Sequence, residues 1–185
     1  MTVLVVTLFA QAGGRTSLLA ARLADRSGRA IAVLAGSVLA QAILAAAAIR
    51  LGQWMATAFT PEAHGLILAV ALVLTGLEMI ARTPVADGVA SRVRLGAFWG
   101  AAIGGGAIML GESGLLVVAA AAARSPLPWA ALPGAAVGLV GAILPAILLG
   151  EREWRRAPWR MIRLGLGAAM VLSGVVLGLS IRHLI

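Results

Sequence analysis

The sequence predicts an all-α, polytopic membrane protein of six transmembrane helices arranged as two inverted three-helix repeats. Three observations carry this prediction: an apolar composition, six hydrophobic runs of spanning length, and a self-similarity between the two halves of the chain. Of the 185 residues, 61% are hydrophobic and 12% charged, and the mean hydropathy is +1.01. A soluble domain is nearer half apolar and about a quarter charged. At this length one core cannot hide the excess, because surface-to-volume scaling leaves too much apolar area outside.

A spanning helix needs about 20 mainly apolar residues, and in hydrocarbon its backbone polar groups must be satisfied within the segment. Six runs qualify: residues 2–21, 30–49, 64–81, 95–123, 128–149 and 162–181. The first is interrupted by Gln11, Gly13, Gly14, Arg15, Thr16 and Ser17, and the second carries Gln41. The third closes on Glu78 and Arg82, whose i,i+4 spacing reads by default as a surface pair of little energy. The fourth contains Gly104, Gly105, Gly106 and Gly111, which predict a kinked or broken helix. The whole chain reads as one membrane domain, 1–185, with a first repeat at 1–81, a cytoplasmic connection at 82–94 and a second repeat at 95–185. No basic region precedes the first run, so no cleavable signal peptide is expected.

The formal charge is +8, and all fifteen basic residues are arginines. They gather in short connections between apolar runs, a pattern of membrane orientation and not of a nucleic-acid face. Eleven arginines follow runs one, three and five, against three on the other side (Arg50, Arg124, Arg182). That bias predicts both termini outside the cytoplasm. Trp154 and Trp159, with Trp54 and Trp129 opposite, read as interfacial anchors. An alanine- and arginine-rich, lysine-free composition fits a bacterial inner (plasma) membrane. Cysteines are absent and the two histidines, His64 and His183, lie near run ends, which argues against thiolate or multi-histidine metal sites. Without a nucleophile triad or phosphate-cradling loop, no enzyme and no cofactor are expected. The lipid bilayer and a small ion or small-molecule substrate are the expected partners, and a homo-oligomer stays open.

"GSVLAQAILAAAAIRLG" (Gly36 to Gly52) aligns without gaps on "GAAVGLVGAILPAILLG" (Gly134 to Gly150). Upstream, "QAG" at Gln11 aligns with "ESG" at Glu112, with three residues' difference between. Three spans per repeat require the second to lie upside down relative to the first. Inverted repeats are a transporter signature, with the site near the midplane where broken helices meet. Gln11 lies eleven residues before Arg22, and Glu112 twelve before Arg124. At about 1.5 Å per residue both sit roughly 16–18 Å from a flanking arginine, near half of a ~30 Å core.

Glu112 is the leading candidate, since intramembrane acids are rare, costly and typically functional. Such a carboxyl can carry protons; the alternative is a structural ion pair with Arg15. Arg15 costs roughly 2.5–3.5 kcal/mol at a helix centre, so it needs a partner or a wet cavity, and Glu112 is the acid predicted at its depth. Gln11 and Gln41 either line the site or bond between helices. Gly13, Gly14 and Gly114 allow kinks or close approach.

Six spans, two inverted repeats and an opening motif of the form E-x-G-D-[KR]-[ST] in each make the chain resemble the GDT-type cation/proton antiporters, which include the Golgi manganese transporters. "LLAAR" after the first motif and "PAILLGE" ending run five extend the resemblance. By position the first motif reads Gln11-Ala12-Gly13-Gly14-Arg15-Thr16 and the second Glu112-Ser113-Gly114-Leu115-Leu116-Val117. Of the family's four motif acids one carboxylate, Glu112, remains.

The resemblance implies secondary transport, a divalent cation (manganese or calcium) exchanged for protons. Gln11, Gly14, Arg15, Thr16, Ser17, Gln41, Glu112 and Ser113 would line the pathway, with Glu112 and Gln11 the first candidates to hold the metal as substrate. Two alternatives stay open. One is a transporter of changed specificity, for a zwitterion or an anion, since Glu112 and Arg15 sum to zero charge. The other is a non-transporting scaffold or accessory relative sealed by an Arg15–Glu112 pair.

Overall fold

The computed structural model describes residues 7, 8, 11, 14–81, 96–156 and 158–181. Among them every element is helical. Helix α1 (Arg15–Ser27) stops at Gly28, whose φ of 63° is a left-handed cap that glycine adopts without a Cβ penalty. Helices α2 (Ala30–Ala58) and α3 (Pro61–Ala81) follow, tied at their junction by buried His64, whose Nε2 lies 3.0 Å from Met55 O. Next, α4 (Gly96–Leu110) contains a π-helical stretch, Gly100–Gly105, and meets α5 (Gly114–Ala123) at a bend of 73°. A 3₁₀ turn (Pro128–Ala130) leads into α6 (Ala131–Arg156), and α7 (Trp159–Ile181) completes the fold.

Among the described residues four helices are long and apolar enough to cross a membrane: α2, α3, α6 with its leading turn, and α7. Taken as one broken span, α4–α5 is a fifth, and its break falls where the glycines of the fourth run predict it. Most of the first run before Gln11, the 82–94 connection and His183 lie outside the described residues. Large apolar side chains such as Ile43, Val70, Leu148 and Leu172 point outward where a soluble protein would be polar.

Small residues set the packing. A Cβ on Gly36 would overlap Phe98 O, and one on Gly52 would overlap Ala119 O, so α2 lies backbone-close against both arms of the broken helix. Helix α3 meets α7 the same way: a Cβ on Gly167 would come within 2.8 Å of Gly76 O, and one on Gly174 within 2.7 Å of Ala69 O. Without a hydrophobic drive between helices in lipid, such close van der Waals approach is what joins them. Helix α1 packs on α6, and α2 also touches α6. Leu19, Leu23, Val33, Met109, Leu139 and Ile143 form the core where these helices meet.

Two boundary readings change. Arg22 is a buried residue inside α1 and not in a loop, because the helix continues to Ser27. Trp154 is a core residue and not a surface anchor: it packs with Ala21 and Ala146, its ring centroid 4.1 Å from that of Trp159.

Candidate functional site

The first motif interrupts its helix through glycine and a side-chain hydroxyl. Gly14 N–H donates to Gln11 O at 3.0 Å, and α1 starts anew behind Gly14, whose backbone is extended. Buried Ser17 donates its hydroxyl to the same Gln11 carbonyl at 2.8 Å and lies 3.4 Å from Ala142 O on α6. Ser17 therefore clamps the break and ties it to the second half of the chain.

The second motif breaks α4 from α5. Gly111 N–H and Glu112 N–H close the end of α4 onto Ile108 O and Met109 O, each at 3.1 Å. Ser113 then begins the next helix, and its N–H donates to Glu78 Oε2 at 2.8 Å while its hydroxyl donates to the same oxygen. Glu78 is thus half-buried and bonded across to the start of α5. It stands thirteen residues beyond Gly65 on α3, about 20 Å along the axis, and Gly65 faces Arg124 at the far end of α5. Helix α5 runs beside α3 from the Glu78 level to the Gly65 level. Glu112 is therefore not the single acid at this depth.

Between the two breaks lies a small cavity of about 20 Å³, lined by Thr7, Gln11, Gln41, Met109, Glu112, Gly114, Leu115 and Val118. That is room for about one water-sized occupant. Gln11 and Gln41 are 6% and 3% exposed, Thr7 and Glu112 are buried beside them, and the side-chain oxygens Gln11 Oε1 and Gln41 Oε1 accept no hydrogen bond from the described residues. A buried polar atom left unsatisfied costs about 1–3 kcal/mol, so two acceptors facing one cavity make a place for a donor or a cation.

Of the predicted residues, Gln11, Gln41 and Glu112 converge on this cavity from three separate stretches. Gly14, Thr16, Ser17 and Ser113 are not among the lining residues: Thr16 is buried with its methyl 3.9 Å from where a Cβ on Gly105 would lie, and Ser113 is committed to Glu78. Arg15 is exposed on the first turn of α1 and is not among the lining residues. Sequence reasoning missed Thr7, although its i−4 spacing from Gln11 places it on the same helix face, and Glu78, an acid inside an apolar run. Among the described residues no group of three His, Cys, Asp or Glu side chains could hold a metal ion. The cavity's donors are amides, a hydroxyl residue and one carboxylate.

Apolar spans closed around a buried polar cavity at a broken helix define a multi-pass membrane protein. Residues 1–86 match the family model described as divalent cation/proton antiporter GDT1. The match takes in Gln11, Gln41 and Glu78 and ends before the second motif. No curated protein matches the chain, and no solved structure does.

Proposed function

We propose that the protein exchanges a divalent cation for protons, binding the cation in the cavity between Gln11, Gln41 and Glu112. The observation that carries this reading is the pair of unbonded amide oxygens facing the same small cavity as a buried carboxylate. Calcium and manganese are oxygen-seeking ions, and this donor set is all oxygen. The cavity offers few ligands and little room, which suits manganese better than the larger calcium ion with its six to eight oxygens.

Glu112 supplies the charge. Ionised, it binds the cation beside Gln11 Oε1 and Gln41 Oε1; once the cation leaves, a proton takes its place on the carboxylate. The remaining requirement is that the cavity open to each side in turn. Two inverted repeats rocking around a midplane site would do this. Supporting that arrangement, α1 leans on α6 of the other half while α2 leans on α4–α5, and α3 and α7 form a glycine-packed pair. Both termini would then face away from the cytoplasm, in an inner membrane.

The test is manganese and calcium flux into proteoliposomes under an imposed pH gradient, wild type against Glu112→Gln. Proton-driven flux that disappears in the variant supports the reading. A well-folded wild type silent to both ions overturns it in favour of a changed specificity or a sealed, non-transporting relative.

A further inference from the structure

The break that forms the cavity carries an electrostatic difficulty for a cation. Helix α5 begins at Gly114, and Gly114 lines the cavity. A helix N-terminus bears the equivalent of roughly half a positive charge and presents unsatisfied N–H groups. Half-helix N-termini at a membrane midplane ordinarily face anionic groups of a substrate, while cations are met by carbonyls and C-terminal ends. Left bare, the start of α5 would repel a divalent ion and attract an anion.

It is not bare. Glu78 reaches over from α3, and one carboxylate oxygen takes both the backbone N–H and the hydroxyl of Ser113, the cap residue of α5. Ser113 follows Glu112 directly in the chain, so the same contact fixes the backbone from which the Glu112 side chain leaves. Resting on the proposed cation exchange, we infer that Glu78 is the specificity-determining positioning residue of this cavity: its carboxylate fills the anion-attracting end of α5 and makes the site accept a cation. Arg15 and Glu112 sum to zero formal charge, and Glu78 adds a second carboxylate beside the break at Ser113. The second, independent observation is the pair of buried, unbonded oxygens of Gln11 and Gln41, which address the cavity as acceptors and suit a positive occupant.

Charge and shape can be separated at Glu78. Glu78→Gln retains an oxygen for Ser113 but removes the charge; Glu78→Asp retains the charge on a shorter arm. Manganese binding to the purified full-length protein, read from the electron-paramagnetic-resonance signal of free Mn²⁺, and manganese flux in proteoliposomes would be measured for both. Glu78→Gln is expected to raise both the Kd and the KM for manganese about tenfold with turnover at saturation retained, whereas Glu78→Asp stays within about threefold of wild type, given that each tenfold is a modest electrostatic free energy. A Glu78→Gln protein that binds manganese like wild type overturns the inference, and so does a Glu78→Asp protein that loses as much affinity as a neutral side chain. Each variant decides alone if the other fails to insert. A wild type that binds manganese without transporting it overturns the proposed exchange and leaves Glu78 to be judged by Kd; one that does neither overturns both.

Discussion

Arg22 and Glu151 join the two halves of the molecule, with Nε 2.8 Å from Oε1 and the arginine side chain 5% exposed. Asp25 reinforces the joint by accepting Glu151 N–H at 2.7 Å. The "LLAAR" and "PAILLGE" stretches, which the sequence presents as separate features, are thus two sides of one contact between α1 and α6. Removing one partner of a charged hydrogen bond leaves the other under-satisfied. Glu151→Gln should lower unfolding stability in detergent by about 1.5–3 kcal/mol. Pairing it with Arg22→Met should cost less than the sum of the two single changes, as coupled neighbours do.

Gly150 makes that joint possible. Its φ of 75° and ψ of 170° fall in a region essentially reserved for glycine, and a Cβ there would lie 3.1 Å from Asp25 Oδ1. Gly150→Ala should cost about 1–3 kcal/mol, read as a lower Tm of the purified protein. An unchanged Tm would show that α6 can run through this point without its turn.

Close helix approach supplies a sharper contrast. Gly36→Ala forces a methyl into Phe98 O, whereas Gly165→Ala meets nothing within 4 Å. The first should sharply reduce the yield of folded, membrane-inserted protein, and the second should leave it at the wild-type level. Equal yields would mean that α2 does not need its contact with α4.

Stability and function should part company at Gln41. Its side-chain oxygen is buried without a hydrogen bond, so Gln41→Leu removes an unsatisfied group and should leave the Tm unchanged or raise it. The same change removes a proposed cation ligand, so manganese transport should fall at least tenfold, the loss of one charge-assisted contact of about 1.5 kcal/mol or more. A drop in both would mark Gln41 as a structural residue.

The chain announces its class through bulk properties of its sequence. Apolar runs fix where helices lie because hydrocarbon tolerates no unsatisfied backbone, and the glycines at 104–106 and 111 mark the broken fourth span. Gln11, Gln41 and Glu112 were legible for a related reason: a polar group inside an apolar run is costly enough to need a purpose. What stayed hidden was set by partners distant in sequence. Glu78 stands four residues before Arg82 in the sequence, and its carboxylate also takes the N–H of Ser113, thirty-five residues away. Arg22 looked like a loop residue because its partner, Glu151, lies 129 positions on. Pattern reading ranks residues by depth along their own helix, whereas the break at 111–113 brings the start of α5 to the Glu78 level of α3.

The most direct measurement records both ions in one vesicle: internal pH and internal manganese followed together as a manganese gradient is applied to proteoliposomes with no imposed pH gradient. Cation/proton exchange predicts that manganese entry drives protons outward, with both signals abolished together by Glu112→Gln. Manganese entry with no movement of protons, or proton movement that survives Glu112→Gln, would contradict it.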